Sequence, residues 1–319
     1  MQLRKLGRSA LQITPLMLGG NVFGWTANEP TSFAVLDAFI EAGGNCIDTA
    51  DVYMARVPGN KGGESETIIG RWMKARGNRD KVIIATKLGN PMGPGKEGLS
   101  RNYIFEAVEA SLQRLQTDYI DLYQAHKDDA STPLEETLQA FDALVQQGKV
   151  RAIGASNYGA NRLADALHIS EQKGLARYES LQPRYNLYDR EDYEHDLEPL
   201  CEKQGVGVIP YFSLAAGFLT GKYRPGLPLP TSARAQGVQS RYMNERGFAI
   251  LEALDSVARS YHATPTQIAL AWLIKRPSIT APIASATSVE QVRELVAATN
   301  IALDDAAVAI LNQASKRRH

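Results

Sequence analysis

A repeat of pattern, not of letters, runs through this chain. A short β-type apolar run is followed by an amphipathic helical stretch, and the pair recurs along almost the whole sequence. The runs lie at 13–18, 45–48, 81–86, 119–124, 151–154, 180–182, 206–209 and 280–283. The helical patterns between and after them cover 31–42, 64–76, 101–115, 134–147, 160–173, 192–204, 289–298 and 304–314. About eight such units, at a spacing of roughly 30 to 40 residues, suit parallel strands with helices outside. The count favours an α/β fold of the closed (β/α)8 TIM-barrel type, read as one domain over 1–319, with an N-terminal hairpin turning at Gly7-Arg8-Ser9 and extra helices. A doubly wound sheet would want a G-x-G-x-x-G turn leading straight into a helix. Gly19-Gly20-Asn21-Val22-Phe23-Gly24 has neither that spacing nor that helix.

One segment breaks the rhythm. Residues 222–247 carry Pro225, Pro228 and Pro230 with Arg224, Arg234, Arg241 and Arg246, and read as a long irregular loop over the barrel mouth. Helical patterns resume at 248–261 and at 265–275, the latter with Thr264 as N-cap and Pro265 at the first helical position.

Composition narrows the class of function. The 319 residues hold 35 Lys+Arg against 35 Asp+Glu, a balance that argues against a nucleic-acid binder. Two cysteines, Cys46 and Cys201, argue against a disulfide framework or a Cys-based zinc site and suit a reducing compartment. No apolar run is long enough for a signal peptide or a membrane span, so the expected location is cytoplasmic. His126, His168, His195, His262 and His319 never pair at zinc-ligand spacing, and no metal is implied.

In a barrel, chemistry sits at the C-terminal ends of the strands. Those ends deliver Asp48, Tyr53 in the loop behind it, Lys87 and His126. Singly, each has an ordinary structural explanation; on consecutive strand ends, they converge. The run Asn45-Cys46-Ile47-Asp48-Thr49-Ala50-Asp51-Val52-Tyr53, followed by Gly63-Glu64-Ser65-Glu66, resembles a signature of the aldo-keto reductase family. Asp118-Tyr119-Ile120-Asp121-Leu122-Tyr123-Gln124-Ala125-His126 is similar to a second. The segments 182–187 and 209–214 resemble the bacterial branch related to the potassium-channel β subunits. The resemblance runs nearly end to end.

The four residues suit carbonyl reduction. Hydride arriving at a carbonyl carbon leaves an alkoxide that must be protonated, and Tyr53 can supply the proton. A free phenol has a pKa near 10. The expectation is that Lys87 lowers that value, that Asp48 holds Lys87 charged, and that His126 orients the substrate oxygen. No side chain donates hydride, so a cofactor is required. The resemblance implies a nicotinamide nucleotide, NADP first and NAD as the alternative. It assigns the carboxamide to Ser156, Asn157 and Gln182, and ring stacking to Tyr211. The pyrophosphate goes to Ser213, Leu214, Ala216, Gly217 and Lys222, beside Ala215, with Arg234 or Arg241 closing over it. The adenosine end goes to Ser285, Thr287, Gln291 and Glu294. Here Ser285 and Gln291 stand where many relatives carry Lys or Arg, and Leu295 where they carry Asn. The substrate is a small carbonyl or alcohol, with Phe23, Trp25, Met54 and Met92 as pocket-lining candidates; neither nucleic acid nor membrane is an expected partner, and the oligomeric state is not read. The alternatives are a cofactor-sensing regulatory subunit with slow turnover, like the channel β subunits, and a Schiff-base lyase or isomerase. The second leaves Tyr53, Gln182 and Tyr211 without a role.

Overall fold

A computed structural model describes residues 1–316, so His319 and the end of the 1–319 reading lie outside the described residues. An antiparallel hairpin, β1 (Arg4–Lys5) with β2 (Gln12–Ile13), comes first. The barrel strands follow as β3 (Met17–Gly19), β4 (Cys46–Asp48), β5 (Ile83–Leu88), β6 (Ile120–Ala125), β7 (Val150–Ser156), β8 (Tyr178–Gln182), β9 (Gly207–Val208) and β10 (Ile283–Ala284). They form one 8-stranded parallel sheet in the order β10-β3-β4-β5-β6-β7-β8-β9. Its two ends meet. The Thr280 and Ala281 N–H groups donate to the Val208 carbonyl at 2.8 and 3.3 Å, and the Ile283 N–H donates to the Pro210 carbonyl at 2.9 Å. The expected (β/α)8 fold is the observed one.

The helices are α1 (Glu29–Glu41), α2 (Glu64–Arg76), α3 (Arg101–Leu115), α4 (Leu134–Gln146), α5 (Ala160–Lys173), α6 (Glu191–Glu194), α7 (Leu197–Gln204), α8 (Ala235–Tyr242), α9 (Glu245–Ser260), α10 (Pro265–Lys275), α11 (Val289–Ala297) and α12 (Asp305–Ser315). Strand alternation sorts their partners. Ile47, Ile84, Tyr123, Ile153 and Leu181 face outward into the large core beneath the helices. Cys46, Ala85, Leu122 and Ala152 face inward and pack with Leu6, Leu11 and Ile13 of the hairpin, which plugs the bottom of the barrel. Gly7 makes that plug fit. Its φ is +58°, and a Cβ there would lie 2.1 Å from the Glu179 carbonyl. One layer up, the same inward alternation turns polar and presents Asp48, Lys87, Gln124 and Gln182 to the mouth.

Several boundaries differ from the sequence reading. The run at 13–18 is broken at Pro15: Ile13 ends the hairpin and Met17 starts the barrel strand. Lys81 ends a single 3-10 turn, and β5 begins at Ile83. The helix expected over 192–204 is two pieces, separated at His195 and Asp196. The irregular stretch is shorter than 222–247. α8 forms because Ala235, Val238 and Tyr242 bury one face, and α9 starts at Glu245 because the Asn244 carboxamide caps it, accepting from the Gly247 N–H at 3.0 Å. Among the described residues no helix is long and apolar enough to cross a membrane.

Candidate active site

Asp48 ends β4, Lys87 lies near the end of β5, and His126 follows β6 directly, so three of the four candidates stand at the C-terminal ends of adjacent strands. Tyr53 reaches them from the β4 loop. The Lys87 Nζ spends its three N–H bonds inside this group. It donates to Asp48 Oδ2 at 2.8 Å, to the Thr49 carbonyl at 2.7 Å and to the Tyr53 Oη at 3.0 Å. Tyr53 Oη lies 3.4 Å from the same Asp48 Oδ2. The second carboxylate oxygen, Oδ1, accepts from Gln182 Nε2 at 2.8 Å. Lys87 is fully buried and Asp48 is 2% exposed, so this is an ion pair held inside protein. His126 meets the Tyr53 ring edge-on at 6.0 Å between centroids.

Burial governs the protonation states. It holds the Tyr53 hydroxyl well above the ordinary tyrosine value, with the Asp48 charge adding to the effect, and it pulls Lys87 below the ordinary lysine value. The net shift is upward where a fall was expected, because burial and the Asp48 carboxylate outweigh the Lys87 ammonium that donates to the Tyr53 hydroxyl. Tyr53 is therefore a firmly protonated hydroxyl at neutral pH. Burial, together with the positive charges of Lys87 and Lys127, holds His126 down at about 3, so its imidazole is neutral.

The residues assigned to the carboxamide form a net of their own. Ser156 Oγ donates to the Gln182 carbonyl at 2.9 Å; Asn157 Nδ2 donates to the His126 carbonyl at 2.9 Å and to Ser156 Oγ at 3.0 Å. Tyr211 Oη donates to Asn157 Oδ1 at 2.8 Å. Gln182 thus serves Asp48 as well as the mouth, a role that one sequence position does not announce.

Beyond β9 the backbone turns sharply. Phe212, Ala215, Ala216 and Gly217 all have positive φ, at 59°, 48°, 57° and 95°. Within the turn the Ala215 N–H donates to the Phe212 carbonyl at 2.6 Å and the Gly217 N–H to the Leu214 carbonyl at 2.8 Å. Ser213 is buried with Oγ donating to the Pro210 carbonyl at 3.1 Å, so its hydroxyl is turned inward. Lys222 lies against this turn: a Cβ on Gly217 would sit 3.6 Å from its Nζ. The loop arginines divide sharply. Arg224 pairs with Asp255 at 2.6 Å, Arg241 pairs with Asp189 at 2.8 Å, and Arg246 donates to the carbonyls of Tyr188 and Ser315 at 2.9 and 2.8 Å. Arg241 is thus engaged with Asp189 in this structure. Arg234 makes no ion pair among the described residues. Its guanidinium lies 5.6 Å from the Trp25 ring centroid, and its charge acts on both Lys222 and Tyr53.

Across the mouth, Ser285, Thr287 and Gln291 gather at the start of α11, which Ser288 caps. Ser285 Oγ donates to Asn21, and Gln291 Oε1 accepts from the Thr287 N–H at 2.8 Å. Glu294 Oε1 accepts from the Thr264 hydroxyl at 2.6 Å. Leu295 is core, and so is Phe23, which leaves Trp25, Met54 and Met92 at the mouth.

A family model described as the aldo/keto reductase family matches residues 15–316. The chain belongs to that family. As an aldo/keto reductase it is 34% identical to an uncharacterized oxidoreductase, YrpG, of Bacillus subtilis, over 98% of this chain and 95% of that one. It is 32% identical to protein tas of Escherichia coli, over 96% and 95% of the two chains. It is also 34% identical to a candidate voltage-gated potassium channel subunit beta of Schizosaccharomyces pombe, over 92% and 87%. Family membership supports oxidoreductase chemistry with a nicotinamide cofactor and a small-molecule carbonyl substrate. The channel-subunit likeness does not favour a regulatory role over an enzymatic one.

Proposed function

We propose that the chain interconverts aldehydes or ketones with alcohols, using Tyr53 as general acid and base and NADP(H) as cofactor, with NAD(H) as the alternative. The observation that carries this reading is the Lys87 Nζ, which holds the Tyr53 hydroxyl, Asp48 and the Thr49 carbonyl at once. The bound cofactor would supply or accept the hydride, which no side chain can do. Tyr53, firmly protonated, gives its proton to the alkoxide oxygen, and the Lys87 ammonium stabilises the phenolate left behind. Asp48 keeps Lys87 charged, and Gln182 fixes Asp48. His126, neutral, donates one ring N–H to the substrate oxygen and orients it toward Tyr53.

The fit to a dinucleotide rests on charge. Lys222 and Arg234 repel each other, and neither has a carboxylate partner among the described residues, although the whole chain is electrically balanced. Two such cations beside a turn of positive-φ peptides suit a pyrophosphate. Ser285, Thr287 and Gln291 offer hydroxyl and amide groups at a helix N-terminus for the adenosine end and its phosphate. Titrating NADPH and NADH separately against protein fluorescence tests the preference. The expected order is NADPH tighter than NADH, with both weakened by Lys222→Ala and Arg234→Ala. Equal affinity for the two would remove NADP preference, and no weakening in either variant would remove the cations from the site.

A further inference from the structure

Gln124 lies in the motif that leads to His126, and the reaction above gives it no task. It is wholly buried on β6, in register with Lys87 of β5 and Gly154 of β7. Gly154 makes room for it: a Cβ there would lie 2.2 Å from Ser180 Oγ and 3.1 Å from Gln124 Cγ. Gln182 Nε2 has two N–H bonds to give. One goes to Asp48 Oδ1 at 2.8 Å, and the other, the longer, goes to Gln124 Oε1 at 3.4 Å. A carboxylate only accepts, so Asp48 turns the nitrogen side of Gln182 toward itself, and Gln124 answers with oxygen. It does so although its own Nε2, also buried, is left without a partner. The other two residues assigned to the carboxamide are spent in the same way. The Ser156 hydroxyl gives its proton to the Gln182 carbonyl at 2.9 Å. Asn157 Nδ2 gives one N–H to the His126 carbonyl at 2.9 Å and one to Ser156 Oγ at 3.0 Å. Backbone carbonyls also only accept, which fixes the direction of both. Every side-chain proton of the three is thus committed inside the protein, while no donor among the described residues meets Gln182 Oε1.

We propose that Gln124 is a positioning residue that sets specificity for the cofactor ring. By taking the second N–H of Gln182, it leaves that amide able only to accept, so the site selects a ring substituent with an N–H to give. The proposal rests on the reading of Ser156, Asn157 and Gln182 as the carboxamide subsite of a nicotinamide cofactor. A carboxamide offers both an acceptor oxygen and a donor NH2 group. Gln182 Oε1 stands ready for the donor, and none of the three side chains keeps a proton for the oxygen. Gln182 is 2% exposed, so an acceptor facing a substituent without N–H goes unpaired there, and binding weakens. Without Gln124, the second N–H of Gln182 loses its acceptor and is free to turn to a substituent oxygen, and the preference lapses. A mere structural prop would behave differently, since its loss would weaken every ring analogue alike.

The test measures dissociation constants on the full chain for three oxidised cofactors that differ only at the ring substituent. NADP carries the carboxamide. Its thionicotinamide analogue keeps the NH2 group and exchanges the oxygen for sulfur, a poor acceptor. Its 3-acetylpyridine analogue keeps the oxygen and lacks the NH2 group. The unmodified protein should bind the thionicotinamide analogue within about threefold of NADP, and the acetylpyridine analogue about tenfold or more weakly. In Gln124→Leu the acetylpyridine penalty should shrink to about threefold or less. Acetylpyridine binding equal to that of NADP, or a thionicotinamide penalty as large as the acetylpyridine one, overturns the proposal. So does a penalty unchanged in Gln124→Leu, including the case in which all three ligands weaken together. Each of these results leaves the cofactor reading intact. Binding of none of the three to the unmodified protein, in either the NADP or the NAD form, overturns both. Should Gln124→Leu not fold, Gln124→Met, a side chain of similar length without oxygen, carries the same expectation.

Discussion

At the scale of the residue, environment decides what each titratable group can do. His126 and Tyr53 sit a ring's width apart, and burial moves both away from neutral pH, the imidazole down and the phenol up. A group held at about 3 is neutral everywhere above that value, so the kcat/KM profile for reduction should show no inflection from His126 between about pH 5 and about pH 7. A break near the ordinary histidine value would show that the imidazole titrates in the free enzyme. Asp51 carries a stability consequence of opposite sign to the usual carboxylate. Its pKa is raised from 3.8 to about 8, so the folded state holds a proton that the unfolded state has lost, and stability falls as pH climbs through that window. Asp51→Asn should therefore raise the Tm relative to the unmodified protein, by more at pH 8 than at pH 5, as read by thermal denaturation. Identical shifts at both pH values would mean that Asp51 is already ionised at the lower one. Asp48, Tyr53, Lys87 and His126 were legible as candidates because strand-end position is a local property. The upward shift of Tyr53 was not, because it depends on how dry the assembled site is and on how close the Asp48 carboxylate comes to the hydroxyl.

At the scale of the element, caps and buried pairs position what the strands deliver. α10 starts at a reciprocal capping box. The Gln267 N–H donates to Thr264 Oγ at 3.3 Å, and the Thr264 N–H donates to Gln267 Oε1 at 3.0 Å. The same Thr264 hydroxyl donates to Glu294 of α11. Thr264→Ala should cost about 1–2 kcal/mol in denaturant unfolding, because it removes a cap and an interhelical hydrogen bond together. Asp121, inside the motif that leads to His126, has a different task from its neighbours. Wholly buried, it accepts from Arg79 at 2.8 Å, Arg151 at 2.9 Å and the Ile84 N–H at 2.9 Å, tying β5, β6 and β7 below the mouth. Asp121→Ala should destabilise by about 3–5 kcal/mol, because it strands a partly buried Arg79. Retention of full stability would mean that water replaces the carboxylate. Helix termini with a glycine stop or a Thr-Pro start were readable directly from the sequence. α8 was not, since its buried face of Ala235, Val238 and Tyr242 is hidden among prolines and arginines.

At the scale of the molecule, a balanced chain still leaves two cations unpaired beside the barrel mouth. The balance of 35 cationic against 35 anionic residues conceals Lys222 and Arg234, which have no carboxylate partner among the described residues, while Arg224 and Arg241 pair with Asp255 and Asp189. The recurring strand–helix pattern revealed the barrel because periodicity survives in a single sequence. Which loop arginine stays unpaired did not show, because Asp189 and Asp255 reach their partners only after distant elements pack. The unscreened pair makes cofactor affinity salt-sensitive: Kd for NADPH should rise steadily with added NaCl, and the slope should flatten in Lys222→Ala. A slope unchanged by that substitution would place the phosphates elsewhere. Proton donation by Tyr53 is the step on which the proposed reduction depends. Its most direct test is single-turnover carbonyl reduction by Tyr53→Phe, with NADPH affinity measured in parallel. The hydride-transfer rate should fall by roughly 100- to 10,000-fold while Kd for NADPH changes by less than about twofold. A rate equal to that of the unmodified protein, with the cofactor still bound, would contradict it.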